Sequence, residues 1–336
     1  MVRSLLPVAA LASAVYLANT LCGHADRRLV LARPVNCELG KSCYIQNYVD
    51  HDPSENALDY KCRHQTYDGH DGTDIRIPDL DVQKRGVEVL AAAAGKIKQA
   101  RDGMDDISIR VAGRTPIVGR ECGNGVLIDH EQGWTTQYCH LAKGSLQVTP
   151  GEQVTAGRVL GLIGWSGDTE FPHLHFSVRH NHIVADPFAY EAEQNSCNSG
   201  HSIWAPDVLN EMQYQSRQML NFGFSDVPPT MDMIETGEIK QHVVSSNSDA
   251  LVAYVRAIAL EMGDEQTLEV RDPSGRLLVQ SRWPALQRAK AQMFISAGKK
   301  RFKEPRWPRG PYQAIYLVTK SGIEVRRKTF EIQVPE

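Results

Sequence analysis

The chain is poor in several features at once. No Cys-x2-Cys pair occurs in its 336 residues, which disfavours a zinc ribbon. No His-Glu-x-x-His segment occurs either, so a metal site built on one helix is absent. Excess charge is scarce, with 37 basic against 40 acidic residues for a net of −3, and this removes any reason to expect nucleic-acid binding by the molecule as a whole. Aromatics make up 7%, and past position 25 there is no apolar run of the roughly 18 residues that a membrane helix needs. What remains is 42% hydrophobic content with 26 glycines and 17 prolines. That is a turn-rich globular chain, long enough for about two domains of ~150 residues.

Residues 1–25 read as a secretory signal peptide. Arg3 precedes an apolar stretch over 5–18, and Gly23-His24-Ala25 puts small residues at the −3 and −1 positions of a cut after Ala25. An uncleaved membrane anchor is the alternative. A lipoprotein anchor at Cys22 is disfavoured, because Asn19-Thr20-Leu21 lacks the small residue normally found before the modified cysteine. Setting Cys22 aside leaves six cysteines of seven, and export to a periplasmic or extracellular space makes disulfides the default. Cys37 and Cys43 are near enough to close a small loop, Cys122 and Cys139 flank an expected hairpin, and Cys62 is left with Cys197 by elimination.

Short strand-like runs broken by glycine fall at 87–92, 125–129, 134–140, 158–165 and 173–179, so the first body, residues 26–190, is mostly β. The polar stretch 102–120 reads as a surface loop flanking a cleft. Residues 191–240 change texture and read as a linker with a short helix over 206–220. From 241 to 336, runs at 251–260, 267–270, 277–280, 312–319 and 328–334 predict a small immunoglobulin-like β-sandwich. From Asp232 to Glu336 there are 17 basic and 13 acidic residues, so this part is net positive and the rest net negative. Its densest cationic run, 299–309, is either a dock for an anionic polymer or a solvated loop.

The histidines carry the chemistry. In Tyr67-Asp68-Gly69-His70-Asp71-Gly72-Thr73-Asp74 an imidazole and a carboxylate lie four residues apart in a glycine-bent segment, a pattern that lets both face one metal ion. In Pro172-His173-Leu174-His175-Phe176 strand alternation puts His173 and His175 on one face. Alternation through Trp134-Thr135-Thr136-Gln137-Tyr138-Cys139-His140 puts Trp134, Thr136, Tyr138 and His140 on one face. If Cys122 opposes Cys139 directly, Gly123 faces Tyr138 and Gly125 faces Thr136, which gives the His140 face a floor without side chains for a bound peptide. His51, His64, His130, His180, His182, His201 and His242 fall outside these motifs and read as surface or packing residues.

Together these motifs resemble the lysostaphin and LytM type of zinc metallopeptidase, which cuts peptide bridges of bacterial peptidoglycan. The His-x-Gly-Thr-Asp element is His70 to Asp74, the Tyr-x-His element is Tyr138 to His140, and the His-x-His element is His173 to His175. Gly123-Asn124-Gly125-Val126, Pro150-Gly151-Glu152-Gln153-Val154 and Asp186-Pro187 follow the family as well, so the resemblance covers residues 37–190. It implies a LytM-type β domain, a duplicated hybrid motif of barrel-sandwich form, ahead of the C-terminal sandwich. It implies Zn2+ on His70, Asp74 and His175, with His140 and His173 catalytic. Three protein ligands leave a zinc position open, which suits catalysis rather than structure. The implied substrate is the peptidoglycan peptide stem, cut between D-alanine and the neighbouring diamino acid, or at glycyl bridges. A non-catalytic regulator that activates cell-wall amidases is the alternative, and the complete ligand set argues against it. Trp165 and Glu170 depart from the family's small residues and are expected to alter the pocket. Whether residues 26–60 cover the centre as a pro-segment is left open.

Overall fold

The computed structural model describes residues 1, 29–113, 117–193, 196–302 and 305–335. The expected signal peptide lies, apart from Met1, outside the described residues. Among them no helix is long and apolar enough to cross a membrane.

The first body is built on one eight-stranded antiparallel sheet. In chain order its strands are β1 (Tyr44–Asn47), β2 (Thr73–Arg76), β4 (Gly95–Arg101), β5 (Asn124–Asp129), β6 (Trp134–Leu141), β7 (Gln153–Val154), β9 (His173–His180) and β10 (Ile183–Val184). They lie in the order β1-β2-β9-β6-β5-β4-β7, with β10 paired onto β9. The strands β3 (Glu88–Leu90) and β8 (Val159–Leu162) form a separate ribbon. Alternation sorts the two faces. On β9, Leu174, Phe176 and Val178 enter a core shared with Ile75, Ile128 and Tyr138, which leaves His173, His175, Ser177 and Arg179 on the other face. The mostly-β character and the five expected strands are therefore present.

Among its described residues the loop over 102–120 carries the helical turn α2 (Ile109–Ala112), after α1 (Leu80–Arg85). Residues 29–50 are built into this body: β1 pairs with β2, and Leu31 bridges to Trp204. The disulfides are Cys37–Cys43, Cys62–Cys197 and Cys122–Cys139, the pairing expected from the spacing. Three disulfides are the chemistry of an oxidising, extracytoplasmic compartment.

Two expectations for the segment after residue 190 need correction. The helix over 206–220 ends early, because α3 spans only Pro206–Glu211, and Gln218 to Leu220 belong to a strand. That strand, β11 (Gln218–Ser225), lies inside the stretch read as linker yet pairs along its length with β12 (Ala250–Leu260). Its Met219 and Leu220 are buried, so burial against a partner distant in sequence decides the conformation. The linker also holds α4 (Met231–Thr236), capped by the Thr230 hydroxyl, which accepts from Met233 N–H.

The C-terminal body is a sandwich of two antiparallel sheets. One is β11-β12-β15, with β15 at Lys290–Lys300; the other is β14-β13-β16-β17, with β13 at Asp264–Arg271, β14 at Leu277–Trp283, β16 at Gly310–Lys320 and β17 at Ile323–Val334. Val255, Ile295, Leu268 and Tyr316 from the two sheets share one core. The sandwich is joined to the first body through a buried apolar contact of Tyr44 with Leu220 and Ile258.

Candidate metal centre

β2 and β9 pair with Asp74 opposite His175 and Arg76 opposite His173. Opposed residues of an antiparallel pair share a face, so this register alone brings four polar side chains together. His70 arrives from the turn before β2, its backbone carbonyl held by Asp50 N–H at 2.8 Å. The result is a cluster of His70, Asp74 and His175. Asp74 Oδ1 lies 3.1 Å from His70 Nε2 and 2.9 Å from His175 Nδ1, and the two ring nitrogens are 3.2 Å apart.

The second polar atom of each of these side chains is already engaged. His70 Nδ1 donates to the Tyr48 carbonyl at 2.7 Å, Asp74 Oδ2 accepts from Asn47 Nδ2 at 2.9 Å, and His175 Nε2 faces Asp71 Oδ1 at 3.1 Å and Ser177 Oγ at 2.9 Å. Orientation of a ligating imidazole by a carboxylate or carbonyl on its other nitrogen is the usual outer arrangement of a metal site. The three inward atoms have the donor types that suit zinc, and their separations approach the edge of about 3.3 Å expected for tetrahedral bonds of roughly 2.0–2.2 Å. The residues fit the ion.

Without a metal the charges settle among themselves. Burial pushes the Asp74 carboxyl up, but His70 and His173 beside it outweigh this and hold it well below the usual range. Burial disfavours charge on His175, yet the hydrogen bonds to Asp71 and Asp74 raise its pKa to about 9. The hydrogen bond from His175 is the main cause that holds Asp71 low, with Arg179 adding to it.

His140 and His173 stand over the cluster. Their ring centroids are 4.7 Å apart, and His140 lies 6.0 Å from His175. His140 Nδ1 donates to the Ser166 carbonyl at 2.7 Å and His173 Nδ1 to the Phe171 carbonyl at 2.9 Å. A carbonyl can only accept, so Nδ1 carries the proton on both rings; Nε2 of His173 then faces Asp74 Oδ1 at 3.4 Å. Burial, with repulsion from His173 and His175, holds His140 well below the ordinary imidazole value, so it is neutral at pH 7.

His140 does not reach this place by alternation. Trp134, Thr136 and Tyr138 do share one face, but it is the core face, where Tyr138 donates to nothing in the cleft and instead accepts from Ala92 N–H at 2.7 Å. Strict alternation would bury His140 beside them. Its φ of +64° breaks the period and turns the imidazole onto the face of Cys139 and His175. His140 N–H to the Cys122 carbonyl at 2.8 Å and Gly164 N–H to the His140 carbonyl at 2.9 Å hold that backbone.

The glycine floor is corrected too. The β5–β6 ladder pairs Val126 with Tyr138 and Asn124 with Leu141, with a bulge between. Gly123 and Gly125 therefore do not face Tyr138 and Thr136. A Cβ on Gly125 would sit 2.8 Å from Cys122 Sγ, and one on Gly123 would strike Ser166. Glycine is needed to seat the disulfide and the Ser166 loop. Both glycines nonetheless line a cleft of about 360 Å³ that shares Glu121, Cys122 and Gln137 with one of about 370 Å³ at His140 and His175. Glu170 pairs with Arg110 of α2 at 2.6 Å.

The histidines set aside lie elsewhere: His51 binds Asp186 at 2.7 Å, His130 bonds the Ala94 carbonyl and Thr136, and His180 stacks on Trp134 at 4.2 Å. Sequence reasoning missed Asn47, Asp71 and Ser177. Asp71, adjacent to His70, was within reach of the motif; Ser177 continues the His173–His175 alternation.

Residues 68–187 match the family model described as peptidase family M23. Over 117 residues the chain is 33% identical to the cell division protein DipM of Caulobacter vibrioides, covering 35% of this chain and 15% of that protein. Over 116 residues it is 29% identical to the peptidoglycan DD-endopeptidase ShyC of Vibrio cholerae, covering 34% of this chain and 24% of that protein. The matches thus span under a quarter of either curated relative's length. Among solved structures, a zinc-containing peptidase from Vibrio cholerae is 24% identical, with 46% of this chain and 39% of that chain covered at a TM-score of 0.28.

Proposed function

From a chain whose residues 68–187 form a peptidase M23 domain of the LytM type, we propose a zinc-dependent endopeptidase that hydrolyses the peptide cross-links of bacterial peptidoglycan. The bond assigned is that between D-alanine and the diamino acid of the neighbouring stem. The observation that carries the reading is the convergence of His70 Nε2, Asp74 Oδ1 and His175 Nδ1 within 3.2 Å, beneath two further imidazoles. His70, Asp74 and His175 would hold the ion, which supplies Lewis-acid activation of the scissile carbonyl and the attacking water.

The chain's own groups do the rest. His140, neutral and with Nδ1–H fixed on Ser166, offers Nε2 to accept a proton. His173, fixed on Phe171, stands 3.4 Å from Asp74 Oδ1 through Nε2 and flanks the position where the tetrahedral oxyanion develops. Asp71 and Ser177 keep His175 turned inward. The joined clefts accommodate an extended peptide across β5 and β6. A regulator that has lost hydrolysis is not favoured, because no member of the five-residue set is missing. The DD bond is assigned with the support of the name of ShyC, a DD-endopeptidase.

Digestion of purified sacculi by the full chain, with and without a chelator, followed by mass analysis of the new termini, tests this. New termini at D-alanine and the diamino acid, abolished by chelation and restored by zinc, are expected. Glycyl termini would move the bond; full hydrolysis after thorough chelation would overturn the metal.

A further inference from the structure

Two residues along β2 from Asp74, the same face carries Arg76, which is fully buried. Nothing in the metal cluster uses it. Its NH1 donates to Gln46 Oε1 at 2.8 Å and to Gln292 Oε1 of β15 at 3.0 Å, and its NH2 donates to Glu235 Oε2 of α4 at 2.5 Å. Glu235 Oε2 also accepts from NH1 of the equally buried Arg256 on β12, at 2.5 Å. Arg256 is held in turn by Asn221 and the Pro78 carbonyl. One carboxylate therefore sits between two buried guanidinium groups, one from each body of the protein.

The guanidinium of Arg76 does more than close the seam. It lies 4.0 Å over the ring of Phe171, a stacking contact that arginine's planar group makes well. Phe171 supplies the carbonyl that fixes Nδ1 of His173, its ring is 4.8 Å from the imidazole, and Arg76 is the ladder partner of His173. Glu235 thus reaches His173 through two intermediate residues, Arg76 and Phe171.

Resting on the peptidase reading above, we propose that Glu235 is a positioning residue for His173, so that α4 is tied to the catalytic site. With Glu235 neutral, Arg76 and Arg256 face each other as unpaired buried cations, a state proteins do not tolerate in place. Arg76 turns toward water, Phe171 loses its stacking partner, and the tilt of His173 is no longer fixed.

The test uses the zinc-loaded full chain and reads the imidazole nitrogen resonances of His173 by NMR beside kcat and KM on sacculus fragments. Glu235→Gln is expected to shift the His173 resonances and lower kcat about tenfold or more, as small misplacements of a reacting group do, with KM and zinc content unchanged. Arg256→Gln weakens the same seam but keeps the Glu235–Arg76 pair; it should lower the melting midpoint and leave the His173 resonances and kcat at wild type. Unchanged His173 resonances in Glu235→Gln, or equal effects of both variants, would overturn the proposal. Should Glu235→Gln not fold, Glu235→Asp keeps the charge and shortens its reach; a shifted His173 resonance then supports the proposal and an unshifted one overturns it. Because the resonances are read without turnover, an inactive wild type would sink the peptidase reading and still leave this coupling to be decided.

Discussion

Strand β2 places two buried charged groups on one face, and the protein treats them in opposite ways. Asp74 sits among imidazoles that can lose their protons, so its environment adapts to a cation of variable occupancy. Arg76 sits against Glu235, whose carboxylate it shares with Arg256, and its environment is closed. The same division runs through the chain at large. Eleven of the twelve histidines and every cysteine lie before residue 202, whereas the C-terminal sandwich has His242 alone and an excess of positive charge. Exchangeable chemistry is gathered in the first body; the second contributes permanent charge and apolar surface that hold the first in shape.

The largest way to break the comparison is at the adaptable site. His70→Ala or His175→Ala removes one of the three proposed ligands, and zinc content and sacculus hydrolysis should fall together to background, measured by elemental analysis and product release. At the closed site the loss should appear in stability instead. Glu235→Ala leaves two buried cations without their carboxylate and should cost about 3–5 kcal/mol in denaturant unfolding, the scale for breaking a buried ion pair. A loss within the roughly 1 kcal/mol of an exposed pair would show that the seam is wetter than its burial indicates.

The disulfides sharpen the picture on a smaller scale. Cys62–Cys197 closes a sequence separation of 135 residues and Cys37–Cys43 one of 6. On loop-closure entropy, removal of the first should cost about 5 kcal/mol and of the second about 2 kcal/mol. Paired Cys→Ser variants compared by urea unfolding would check the ranking.

The pH dependence has opposite signs in the metal-free and zinc-loaded forms. In metal-free protein His175 is raised to about 9 in the folded state from about 6.5 unfolded. A raised histidine stabilises fully below the unfolded value and loses that contribution as pH climbs through the folded one. The melting midpoint of chelated protein should therefore fall between about pH 6.5 and 9. Zinc must displace the same proton, so its apparent affinity should rise about tenfold per pH unit across that window. Calorimetry and competition titration would read the two slopes.

Much of this was legible in the chain. Alternation at His173 and His175 is a local property of one strand, and it held because β9 is regular through Arg179. At His140 the same rule misassigned the face, because a positive φ fixed by the carbonyl of Cys122 breaks the period, and no neighbour in sequence announces it. The β5–β6 register was misread for a related reason: the disulfide sits beside a bulge rather than in the ladder. The strand Gln218–Ser225 was taken for linker because its hydrogen-bond partner, β12, begins at Ala250. Glu235 carried no motif at all. Its meaning comes only from Arg76 and Arg256, which are 159 and 21 residues away along the chain.

In the proposed site three residues hold the metal while two others act on the substrate, and His140 separates these most cleanly because it comes from a different strand than His175. Zinc content and sacculus turnover measured on one preparation of His140→Ala should give about one zinc per chain with turnover reduced roughly 10²-fold or more, the scale for losing a positioned acid, base or oxyanion donor. Normal zinc with a wild-type rate would contradict it.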